Sequence, residues 1–129
     1  MWLQSLTESQ RETLMHLAYT VVVSDGLLDP NEEQMLERFR REMDLPADSE
    51  PDYISLVGIA DAFPSSRARR VVLINLLHLS YVDGALEIEE ECLLREVATA
   101  FGVDDAELAL LENWVKRLVS LEQEAIGLL

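Results

Sequence analysis

Carboxylates are the chemistry this sequence concentrates, and they gather in a stretch that occurs twice. The first copy reads Val23-Ser24-Asp25-Gly26-Leu27-Leu28-Asp29-Pro30-Asn31-Glu32-Glu33, and the second Tyr81-Val82-Asp83-Gly84-Ala85-Leu86-Glu87-Ile88-Glu89-Glu90-Glu91. Both fit DGxLxxxE. The two copies share an acid at four equivalent positions, Asp25, Asp29, Glu32 and Glu33 in the first and Asp83, Glu87, Glu90 and Glu91 in the second. Carboxylates held this close repel one another unless a cation sits among them. All-oxygen ligands suit calcium, magnesium or manganese better than zinc. The candidate metal ligands are therefore Asp25, Asp29, Glu32, Asp83, Glu87 and Glu90.

A second account of the same residues needs no ligand. Asp29 and Glu87 fall at the N-cap of a following helix, Glu32 and Glu90 at the third helical position that reaches back to the cap, and acids favour a helix N-terminus through the macrodipole. One turn needs about one cap and one box partner, fewer acids than either copy offers. An EF-hand calcium loop is not expected: its first and third positions would be Val21 and Val23, then Leu79 and Tyr81, with no carboxylate among them.

The elements that position these turns follow from periodicity. Aligning Asp25 with Asp83, an offset of 58 residues (83 − 25), also matches Leu14 with Val72, Ala18 with Leu76, Val21 with Leu79, Leu36 with Leu94 and Phe39 with Val97, so the chain contains an internal duplication. The repeat halves run over about 14–45 and 72–103. Thr7 and Gln10 make a capping box for a first helix from about Glu8 to Ser24. Pro30 opens a second helix, which Leu45-Pro46 stops. A short third helix is expected from about Pro51 to Ala62 with Tyr53, Ile54, Val57 and Ala60 inward. From Arg67 to Val82 the chain is nearly all apolar, which marks a buried fourth helix at the centre of the core. A fifth runs from about Ile88 to Phe101 and ends at Gly102, and a sixth follows the capping pair Asp104 and Glu107. Beyond Ser120 the end is apolar without clear periodicity. The expected fold is a single all-α domain of about six helices, its two pseudo-symmetric hairpins built on the acidic turns and packed around the fourth helix.

Composition narrows the partners. With 25 acidic against 10 basic residues the net charge is −15, a field that repels phosphate backbones and anionic membrane and attracts divalent cations or a protein with a basic surface. Neither nucleic-acid binding nor direct membrane insertion is expected. The N-terminus lacks a basic stretch followed by an apolar core, so the chain reads as cytoplasmic. The arginine clusters Arg38/Arg40/Arg41 and Arg67/Arg69/Arg70 read as partners for nearby carboxylates. The lone Cys92 reads as a small buried hydrophobe, His16 and His78 as polar residues on mostly buried helices, and Trp2, Trp114 and Tyr81 as core or rim packing. No nucleophile with a base and no phosphate loop can be assembled, so no enzymatic activity is expected.

Two DGxLxxxE turns between helices, about 60 residues apart in a small acidic helical chain, resemble the tellurite-resistance protein B family, the TerB-like domains. The similarity runs from about Leu14 to Leu118. It implies an all-helical fold of two pseudo-symmetric halves and a metal-binding site formed by shared acidic positions, which by motif position are Asp25 and Glu32, then Asp83 and Glu90. It also implies a tellurite-resistance or stress-response setting. The J domain that accompanies some related domains has no counterpart here. The reading is of a non-enzymatic acidic module that binds or senses a divalent metal, or else of a protein-interaction module whose acidic turns are only helix caps.

Overall fold

A computed structural model describes residues 1–129 except 25, 27, 29 and 83–85. After a 3-10 turn at Leu3–Ser5 come α1 (Glu8–Val22), α2 (Pro30–Glu42), α3 (Ile59–Ala62), α4 (Ser66–Tyr81), α5 (Ile88–Ala100) and α6 (Asp105–Leu128). The described residues contain no strand.

Local chemistry sets the ends. Thr7 and Gln10 close both halves of a capping box on α1, Gln10 N–H to Thr7 Oγ1 at 3.1 Å and Thr7 N–H to Gln10 Oε1 at 3.0 Å. Ser65 Oγ accepts from Ala68 N–H, and Asp104 Oδ1 from Glu107 N–H, to start α4 and α6. α5 ends in a left-handed Gly102, φ 72°, with Val103 N–H bonded back to Ala98 O. α2 ends at Glu42, three residues before Leu45. Asp44 takes the left-handed position, φ 55°, and Leu45 N–H reaches back to Arg40 O at 3.2 Å.

The core is built around α4. Val72, Leu73, Leu76 and Leu77 are fully buried, covered by α1, α5 and α6, and α1 also packs on α2. A helix enclosed on this many sides must be apolar nearly all round, as its sequence is. Asn75 and Ser80 are the polar residues buried on α4, and both are satisfied: Ser80 Oγ donates to Leu76 O, while the Asn75 amide donates to Val71 O and Met1 O and accepts from the Met1 amine.

The expected third helix is mostly absent. Residues 51–56 run without helix, and only Ile59–Ala62 is helical, after Gly58 at φ 72°. The reason lies on α1. His16 Nδ1 accepts from Asp52 N–H at 3.0 Å and Thr20 Oγ1 from Ile54 N–H at 3.1 Å, so alternate amides of this segment are held by side chains of α1 and the segment runs along that helix. Ile59 and Phe63 are buried from this connection, whereas Tyr53 and Val57 are exposed, against the expectation that both face inward.

Two other expectations are corrected. Cys92 is exposed, because it falls on the opposite side of α5 from the buried Leu94, Val97 and Ala98. The arginines pair only in part with carboxylates. Arg40 pairs with Glu37 at 2.5 Å and Arg70 with Glu107 at 3.1 Å, but Arg69 instead donates to three backbone carbonyls, those of Phe63, Phe101 and Ala60.

Candidate functional site

Of the six candidate ligands, Asp25, Asp29 and Asp83 lie outside the described residues, leaving Glu32, Glu87 and Glu90. α1 leads into the first acidic turn through Val23 N–H to Tyr19 O and Gly26 N–H to Val23 O at 2.9 Å. Gly26 sits at φ 84°, where a Cβ would meet nothing within 4 Å, so it is the backbone conformation and not crowding that calls for glycine. α4 leads into the second turn through Val82 N–H to His78 O.

Glu87 occupies the N-cap of α5 in extended conformation, and its carbonyl accepts from Glu91 N–H, yet its side chain makes no capping hydrogen bond. The capping account of this residue therefore holds for its position and not for its carboxylate. Glu32 and Glu90, which the 58-residue offset aligns, are both half-buried, whereas their neighbours Glu33 and Glu89 are exposed. Glu91 is engaged by Arg95 one turn on, at 3.2 Å.

The first acidic turn and the start of α5 share one depression of about 540 Å3. It is lined by Val23, Ser24 and Gly26 of the first turn, by Ile88, Glu89, Cys92 and Glu96 of α5, and by Tyr53. Ser24 Oγ is buried with no hydrogen-bond partner among the described residues, an oxygen whose desolvation nothing there offsets. Glu89 and Glu96 escape a repeat-based reading because their counterparts, at the 58-residue offset, are Asn31 and Arg38. The signal for them is helical spacing, since residues seven apart with Cys92 between share one helix face. The described residues alone contain no cluster of three ligating side chains.

The family model of tellurite resistance protein TerB matches residues 40–113. This chain belongs to the TerB family. The matched segment takes in the last turn of α2, the whole of α3, α4 and α5, and the first part of α6, and so includes the second acidic turn. No curated protein and no solved structure matches this TerB-family chain. No helix among its described residues is long and apolar enough to cross a membrane.

Proposed function

We propose that this TerB-family domain is a non-enzymatic acidic module that binds a divalent cation, calcium, magnesium or manganese, at its paired acidic turns, in a cytoplasmic tellurite-resistance or stress-response setting. The observation that supports the reading is the shared depression, in which the first turn's Ser24 and Gly26 lie beside the start of α5; its own carboxylates are Glu89 and Glu96, while Glu32, Glu87 and Glu90 do not line it. The donors fit a hard cation. Glu87 is not spent on capping, Glu32 and Glu90 are half-buried, Ser24 Oγ is an oxygen without a described partner, and the donor set is all oxygen. When bound, the cation would neutralise acids that otherwise repel one another, so that Asp25, Glu32, Asp83, Glu87 and Glu90 would draw the two turns together.

Thermal unfolding tests this directly. A cation that selects the native state raises Tm by mass action, so micromolar calcium, magnesium or manganese raises it relative to chelator, with a preference among the three. A rise that is equal for all divalents and vanishes in moderate salt is diffuse screening of the negative charge and overturns the proposal.

A second reading rests on Ile88, 73 % exposed in the lining of the same depression, and on the exposed Cys92. An apolar lining within an acidic field suits a protein segment with a basic surface. Binding of a basic amphipathic peptide that is lost in Ile88→Asp, with no divalent response in the wild type, would favour this reading over the first.

A further inference from the structure

The last helix offers a face that the rest of the fold leaves open. α6 turns Leu108, Val115 and Val119 into the core, and from residue 120 to 129 every position is exposed. The helix continues nonetheless, 24 residues in all, anchored where the overhang begins by His78 Nε2 to Glu122 Oε1 at 2.7 Å. Along this helix Leu111, Trp114, Leu118, Leu121, Ala125 and Leu128 follow one another at alternating spacings of three and four. That is the heptad spacing of a helix–helix seam, here about 25 Å long at 1.5 Å per residue. It lies to one side of the buried stripe: Leu111 and Leu118 are half-buried on its side nearer the core, Leu121 is 62 % and Leu128 87 % exposed, and Trp114 is 36 % exposed beside Trp2, ring centroids 6.0 Å apart.

We propose that this seam is a self-association surface, on which a second copy of this chain docks its own α6 in antiparallel orientation. Three observations select that occupant. The seam is self-complementary when reversed. Setting Leu118 against Leu121 of the second copy also sets Leu111 against its Leu128 and Trp114 against its Ala125, so that each layer joins one position of each heptad type. The flanking charges match in the same register, since exposed Arg117 and Glu124 occupy equivalent heptad positions and each meets the other across the seam. The charge that keeps copies apart elsewhere is missing here, because residues 114–129 carry two basic side chains, Lys116 and Arg117, and two acidic ones, Glu122 and Glu124, in a chain of net charge −15. In a parallel pair Arg117 would have to turn to Glu122, which His78 already holds. The antiparallel arrangement also lays each overhang along the half-exposed part of the other copy's α6, beside its Trp2. A seam this short buries less than the roughly 1,200 Å2 of a standard interface, so association on the order of micromolar is expected.

Sedimentation velocity of the full chain, from about 1 to about 500 μM at physiological ionic strength, reads the monomer–dimer balance. The wild type is expected to shift from monomer to dimer with concentration. Leu121→Glu, at an exposed position outside the core, is expected to weaken association by on the order of a hundredfold, because it places unpaired carboxylates in the seam, with helical circular dichroism unchanged. Glu124→Arg alone is expected to weaken it by juxtaposing two arginines, and Arg117→Glu with Glu124→Arg to restore it. A wild type that stays monomeric throughout, or a dimer indifferent to Leu121→Glu, overturns the proposal. A dimer lost in Leu121→Glu but indifferent to Glu124→Arg overturns the antiparallel register.

Discussion

Arg69, on the first turns of α4, donates to the carbonyl of Phe101 at the end of α5 across 3.2 Å, and the two residues tie together segments 32 positions apart. The same guanidinium takes Phe63 O at 2.7 Å and Ala60 O at 3.2 Å. One planar cation thus closes the ends of α3 and α5 over the edge-to-face pair of Phe63 and Phe101, whose centroids are 5.7 Å apart. Arginine suits this place because its donors form a fixed fork, where a lysine offers a single charged point.

Arg69→Leu is therefore expected to destabilise the fold by about 2–4 kcal/mol, since the carbonyls it served lose a charged donor. Arg69→Lys should fall between, keeping the charge and losing the fork. Urea unfolding of both variants checks this; a leucine variant as stable as the wild type would show that water serves these carbonyls equally well.

The acidic turns separate into caps and ligands by substitution. A capping box accepts Gln as well as Glu, whereas a hard cation needs the charge. Glu90→Gln and Asp83→Asn, and likewise Glu32→Gln and Asp25→Asn, are expected to keep the fold in chelator and to lose the rise in Tm with divalents. Glu87→Gln is the sharpest of the set. Its carboxylate makes no capping bond, so in chelator the variant should match the wild type within about 0.5 kcal/mol, and only the cation response should fall. Variants that retain the full response would make the turns caps alone.

The core and the connection should respond oppositely to truncation. Leu76, fully buried on α4, is expected to cost about 2–5 kcal/mol as Leu76→Ala through lost burial and a residual cavity. Val57, 92 % exposed, should cost within about 0.5 kcal/mol as Val57→Ala. Were residues 51–58 helical and inward, the second change would cost several times more, and equilibrium unfolding of the pair distinguishes the two cases.

Acid should weaken α2 through one pair. The hydrogen bond from Arg40 holds the Glu37 carboxyl below the 4.5 of an ordinary glutamate. A depressed carboxylate contributes stability that is fully present above the unfolded value and is lost as pH falls through the folded one. The wild type should exceed Glu37→Gln in Tm at pH 7, and the difference should shrink progressively below about pH 4.5. A difference that stays constant into acid would assign the effect to packing.

Much of this fold is legible in the chain because its local signals agree. The capping box at Thr7, the proline that opens α2, the all-apolar run of α4 and the glycine that closes α5 each specify a boundary within a residue or two. Residues 51–58 were not legible, since their apolar spacing is helical and what overrides it is remote: His16 and Thr20 on α1 claim the amides of Asp52 and Ile54. The exposure of Cys92 was obscured because adjacent Leu93 and Leu94 make the local composition apolar, while the helix turns Cys92 away from the buried side. At the site, the motif marks the acidic positions but carries no trace of Glu89 and Glu96, which reach the depression through the face of a helix and not through the repeat.

The enclosure of α4 separates two kinds of boundary. Family resemblance spans residues 40–113, yet Leu14, Leu17 and Ala18 of α1, and Val115 and Val119 of α6, are buried core residues outside that span. A fragment cut at those limits would strip two walls from the central helix and leave Leu73, Leu76 and Leu77 facing water. The span that the family model matches is shorter than what must fold together, so limited proteolysis should release a stable unit that begins before α1 and ends beyond Val119, and no smaller one.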